Sequence, residues 1–234
     1  MSRFKLSVLI VMLAAFSMPA LAGEKVVKRV PAGAAAFHFV FELSDPFGEL
    51  GPPEFMGYIA FIEGVDGPMF NGMPSKDTAY FSIYLNEAIP GAPLFLPVPD
   101  KALIPLIYPP GAEFTVYFDR YPDSRDWNEP DSFTKGVPIA VFKESALLST
   151  GAQTASFNVF SSRLIDSTPI RFNGQRLDFK KLVPNGVTVT NFGNGLSVRV
   201  PPDYQYGLGA SGGGTAIALG GKRWHKSDDD DSDD

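Results

Sequence analysis

The chain has 234 residues, room for one sizeable core and too few for several ordinary domains. It is 44% hydrophobic and 20% charged, which excludes a wholly disordered chain, and its 23 Gly and 21 Pro disfavour a helical bundle, because both residues interrupt helices. The net charge of −6 excludes a basic nucleic-acid footprint.

Residues 1–22 read as a secretory leader. Arg3 and Lys5 give a basic start, Leu6 to Phe16 an apolar run, and Ala20-Leu21-Ala22 a small-residue cleavage site. The run is too short for a membrane span, which needs roughly 20 residues, so the mature chain is expected not to be an integral membrane protein. With no cysteine, the chain must be held by its core alone. Together these features predict a bacterial protein exported to the periplasm or the medium.

Residues 23–34 form an N-terminal arm, and a β domain is expected over 35–202. In Phe37-His38-Phe39-Val40-Phe41-Glu42-Leu43 the odd positions place four large apolar side chains on one face. Phe55 to Ile62 is apolar on both faces, as a covered strand would be. Ala79 to Leu85, Phe114 to Asp119, Val137 to Phe142 and Ser156 to Ile165 are further strands. Residues 87–110 carry seven prolines and read as a long loop strapped over a sheet face. Lys143 to Leu148 is at most two helical turns. Asn173-Gly174 and Asn194-Gly195 accept the positive φ angles of tight turns, so each joins a hairpin, the second pairing Val187–Phe192 with Leu196–Val200. Asn185-Gly186 is a third turn.

Residues 203–234 read as a flexible Gly-rich linker, Gly207 to Gly214, and a disordered acidic tail. Without Arg3 and Lys5 the chain has 18 basic and 26 acidic residues, net −8; six of the acids crowd into Asp228–Asp234, and the remainder is near neutral at −2. The fold class is therefore all-β: a single antiparallel β-sandwich or partly closed β-barrel with hairpin connections. The prolines and long loops fit an outer-membrane barrel poorly.

Catalytic material is sparse. Two histidines, His38 and His225, and no cysteine leave little for a metal centre or a nucleophile pair, and no cofactor or metal is expected. Gly209-Ala210-Ser211-Gly212-Gly213 matches the serine-hydrolase string but lacks the strand–turn–helix setting that chemistry needs. The candidate ligand-binding residues are Tyr121, Asp123, Arg125, Asp126, Trp127 and Glu129, in a charged loop around one of two tryptophans. An indole face covers apolar C–H surface while flanking charges orient hydroxyls, so this loop suits a glycan. The phenylalanines suggest a core or, in a barrel, a lining for a small apolar ligand. The expected role is a non-enzymatic binding or interaction module of the bacterial envelope or exterior. The alternatives are a small carboxylate-using enzyme acting on a sugar or lipid-derived substrate, and a structural envelope component.

Overall fold

A computed structural model describes residues 24–44, 54–85, 94–95, 104–152, 155–194 and 209–220. In chain order these form β1 (Lys25–Val26), β2 (Ala35–Ser44), β3 (Glu54–Ile62), β4 (Phe81–Leu85), β5 (Leu94–Phe95), β6 (Ile104–Tyr108), β7 (Glu113–Phe118), β8 (Val137–Glu144), β9 (Leu147–Ala152), β10 (Ala155–Ser167), β11 (Ile170–Phe172), β12 (Gln175–Leu177), α1 (Phe179–Leu182), β13 (Val187–Asn194) and β14 (Gly209–Ala218). The leader, residues 1–22, and the acidic run, Asp228–Asp234, lie outside the described residues.

Eight strands run antiparallel in the order β13-β14-β2-β3-β4-β7-β8-β10, and β10 pairs back onto β13 from Ala155↔Asn194 to Ser162↔Val187. The sheet is thus a closed barrel, the more complete of the arrangements the sequence allows. Following paired residues from Ser167 through Ala140, Val116, Ile83, Gly57, Phe41, Gly212 and Gly193 returns to β10 at Ser156, 11 residues away. A stagger of that size tilts eight strands by roughly 45° and leaves an interior wide enough for side chains.

The alternation of β2 survives into the barrel. Phe37, Phe39 and Phe41 are buried and His38 is exposed. The buried faces of the other strands supply Ile59, Ile83, Phe114, Val116 and Phe142. Rings stack at 4.7 Å between Phe114 and Phe142 and at 4.9 Å between Phe41 and Phe55. Each fully buried Phe stabilises the fold by roughly 2–3 kcal/mol. The outer surface carries ion pairs such as Lys143–Glu113 beside exposed Phe61, Phe157 and Phe192. Among the described residues no helix is long and apolar enough to cross a membrane.

One end of the barrel is plugged. Phe179 and Leu182 of α1 are fully buried, and the Phe179 ring lies 6.2 Å from Phe37 and 6.0 Å from Phe142. The Asp178 carboxylate caps α1 by accepting from the Lys180 N–H at 2.9 Å. The β11–β12 hairpin turns at Asn173-Gly174 with φ of 48° and 73°, the left-handed pair its sequence predicts. Its Phe172 packs edge-on against Phe81 at 4.9 Å. The arm belongs to this plug: β1 pairs in parallel with β12, and Val27 and Val30 are buried.

Three segments depart from the sequence reading. Gly209–Ala218, expected as flexible linker, is β14, which closes the barrel between β13 and β2. The physical reason is steric: Phe37, Phe39 and Phe41 lie opposite Ala216, Gly214 and Gly212. A Cβ at Gly214 would run into the Phe39 ring, so small residues here make room for large ones across the ladder. The β domain therefore extends past 202. Residues 104–108, within the predicted proline loop, form β6, an addition to the sheet beside β9, where Pro105 sits opposite Thr150. Lys143 lies in β8 and Leu147 and Leu148 in β9, not in a helix; these two strands run on from one another around a bend at Ser145, whose N–H and hydroxyl both donate to the Ser161 carbonyl at 2.8 Å. Both edges of β13 are taken by β10 and β14, and Leu196–Val200 lies outside the described residues.

Candidate functional site

The connection from β7 to β8 lies against the outer wall over β3 and β4. It contains a 3₁₀ turn, Pro130–Thr134, whose Phe133 is fully buried. The buried Ser82 hydroxyl on β4 donates to the Phe133 carbonyl at 2.6 Å, which fixes the strap to the barrel. Trp127 stacks on Phe133 at 4.7 Å and approaches Tyr58 of β3 at 6.5 Å. Burial raises the Tyr58 pKa above the usual phenol value.

Arg125 is the most buried of the predicted ligand residues, with 1% exposure. Its Nη1 donates to the carbonyls of Lys76 at 2.5 Å and Ala79 at 2.8 Å, and its backbone N–H donates to the Asp77 carboxylate at 2.8 Å. The Asp119 carboxylate stands 3.9 Å from Nη2. Burial pulls the guanidinium pKa down, and Asp119, Asp77 and Asp123 oppose that pull. Arg125 is thus a staple between the strap and residues 76–79.

The remaining predicted residues spread over the strap surface. The Asp126 carboxylate accepts from the Asn128 N–H at 2.9 Å, while its backbone N–H donates to the Ser132 hydroxyl at 2.9 Å. Glu129 precedes the 3₁₀ turn, is exposed, and its N–H donates to the Asp126 carbonyl at 3.0 Å. Asp123 pairs with Lys135 at 3.6 Å, in solvent. Tyr121 is 80% exposed. The structure gathers Trp127 and Arg125 into packing and leaves Tyr121, Asp123, Asp126 and Glu129 facing water. Of the two histidines, His38 is on the outer wall, with Nδ1 2.8 Å from the Thr215 hydroxyl and its ring 5.5 Å from Phe61. His225 lies outside the described residues. Among the described residues no group of three or more His, Asp and Glu is placed to hold a metal ion.

A second polar set sits inside the barrel, and sequence reasoning missed it. Glu144 ends β8 on the inward face shared by Ala140 and Phe142, and is 6% exposed. Ser162 of β10 lies directly opposite and is 1% exposed. The Ser162 hydroxyl is buried with no hydrogen-bond partner among the described residues, and the Glu144 carboxyl beside it is desolvated. Burial pushes the Glu144 pKa up to about 8, so the group is mostly the neutral acid at pH 7. Further along the same wall Asn158 donates to the Asn191 side chain at 2.7 Å across the β10–β13 ladder. A polar stripe therefore runs along β8, β10 and β13, flanked by Phe142, Phe160 and Val189. The signal was the period of two itself: carrying the strand two residues beyond Phe142 puts Glu144 on the core face.

Comparison with protein-family models, with curated proteins and with solved structures finds no match to this chain.

Proposed function

We propose that the chain is a non-enzymatic binding protein, exported to the bacterial envelope or exterior, that takes a small and largely apolar ligand bearing one neutral hydrogen-bonding group. The observation that carries this reading is the Ser162 hydroxyl, buried without a partner among the described residues, opposite the desolvated Glu144 carboxyl on the inner face of a Phe-lined barrel. A core serving stability alone gains from an apolar side chain there, because a buried polar group with no partner costs roughly 1–3 kcal/mol. Such local violations of the folding rules concentrate where a protein binds or reacts. The neutral acid can donate to a ligand carbonyl or hydroxyl while the Ser162 hydroxyl donates or accepts beside it. The exposed strap residues Tyr121, Asp123, Asp126 and Glu129 form a separate polar surface, open to a glycan.

The test is native mass spectrometry of the full protein, taken without detergent from the exported fraction. Added mass that leaves on denaturation is expected, and Glu144→Leu should weaken its retention. A bare chain in the native spectrum, with no uptake of apolar alcohols or ketones on incubation, refutes the reading. A second reading, a carboxylate-using enzyme, is favoured by one observation: a carboxyl that keeps its proton near pH 7 is suited to general-acid catalysis. It requires turnover that Glu144→Gln abolishes.

A further inference from the structure

At the plugged end a groove of about 570 Å³ runs between the N-terminal arm and α1. Its charged lining is all of one sign: Lys28 and Arg29 from the arm, Lys180 and Lys181 from α1. All four are exposed, and none forms an ion pair among the described residues, whereas Lys25, Lys76, Lys135, Lys143 and Arg171 each do. Among the described residues no acidic side chain lines the groove. Four clustered cations with no ion-pair partner among the described residues form a local positive field that favours an anionic occupant.

The chain leaves the barrel beside this groove. After β14, the Leu219 N–H donates to the Gly186 carbonyl at 3.1 Å. The Leu219 carbonyl accepts at 3.4 Å from Asn185, itself a lining residue. A Cβ on Gly220 would stand 3.2 Å from Ala32 of the arm. Fourteen residues follow Gly220, and six of the last seven are aspartate. From Gly220 to Asp228 an extended chain reaches roughly 26–29 Å.

We propose that the acidic C-terminus, Asp228–Asp234, docks in cis on the groove formed by Lys28, Arg29, Lys180 and Lys181. Six carboxylates meet four cations that have no ion-pair partner among the described residues, and the short tether makes the encounter intramolecular. A tether of this length gives an effective concentration on the order of millimolar, so even weak intrinsic attraction keeps the groove mostly filled. The contact is electrostatic and loosens as salt shortens the Debye length from about 10 Å at 0.1 M to about 3 Å at 1 M. An external polyanion would compete for the same four side chains.

The test uses the full chain and measures acylation rates of individual lysines by mass spectrometry. The reference is the full chain with Asp228, Asp229, Asp230, Asp231, Asp233 and Asp234 all changed to Asn, which keeps length and sequence otherwise intact. In low salt Lys28, Lys180 and Lys181 should react at least threefold more slowly in the parent chain than in the Asn form, and the difference should vanish at 1 M salt. Lys135 and Lys143, on other faces, report any global change and should react alike in both. Equal rates for the groove lysines at low salt overturn the proposal. Protection that grows with protein concentration also overturns it, because the tail then occupies a second copy.

Discussion

Replacing Glu144 with Gln separates the shape of the buried acid from its ionisation, and the pH dependence of the difference is calculable. The carboxyl titrates at about 8 in the folded chain and near its ordinary value of 4.5 once unfolding exposes it to water. Between those values the folded state holds a proton that the unfolded state has released. Stability is therefore full below about pH 4.5 and falls as pH rises through about 8. The slope approaches ~1.4 kcal/mol per pH unit, and the accumulated loss is roughly 5 kcal/mol above pH 8. That is a large share of the 5–15 kcal/mol of a typical domain. Glutamine keeps the shape and removes the proton. Urea unfolding of both proteins at pH 5, 6, 7, 8 and 9 isolates this group, because every other titration cancels in the difference. At pH 5 the two should lie within about 1 kcal/mol of each other, the residue being neutral in both folded states. By pH 9 Glu144→Gln should be the more stable by roughly 4–5 kcal/mol, or about 10–20 °C in midpoint at this chain length. A difference that stays constant from pH 5 to pH 9 refutes the claim that Glu144 is desolvated inside the barrel.

Four further outcomes follow from the packing. Gly214→Ala places a methyl group against the Phe39 ring and 2.7 Å from the Thr190 carbonyl, so thermal melting should show a loss of about 1–3 kcal/mol. Adding Phe39→Leu should recover part of that loss, and a purely additive double mutant would count against the steric match between β2 and β14. Arg125→Ala removes two hydrogen bonds to buried carbonyls, and a loss of roughly 2–4 kcal/mol is expected in urea unfolding. Asp123→Asn, which breaks an exposed pair with Lys135, should change stability by less than about 0.5 kcal/mol in the same assay. Trp127→Ala uncovers Phe133 and should lower the melting temperature without changing the far-ultraviolet spectrum of the barrel.

The strands were legible in the sequence wherever one face is apolar, while the choice between sandwich and barrel was not. Phe37 to Leu43 and Phe114 to Phe118 show their strands by period alone, and Asn173-Gly174 shows its turn by the φ angles it tolerates. β14 was illegible because its glycines are chosen for what faces them: Gly214 makes sense only once Phe39 is known to lie opposite. Pro105 hid β6 for a similar reason, since a proline argues against a central strand and β6 lies outside the closed ring. In the strap, composition drew attention to charge and to Trp127. Whether Arg125 meets a ligand or its own backbone depends on the fold of residues 76–79, some fifty positions earlier. Glu144 stood one period beyond a strand whose end is hard to fix locally.

The ring is completed by a strand made almost last. β2, near the start of the chain, and β13 touch only through β14, so during synthesis the sheet waits as an open curl with two unpaired edges. Every earlier strand can find its neighbour in the sheet before β14 is present, but the free edge of β2 has no strand to pair with until β14 is in place. The rate-limiting event should be this long-range closure, characteristic of folds dominated by distant pairings and slow beside a helical domain of equal size. Until it happens the nascent sheet carries the two features that draw chains together, free strand edges and uncovered aromatic rings. A chain cut short within β14 would leave that curl open, whereas one that ends after Ala218 carries every strand of the closed ring.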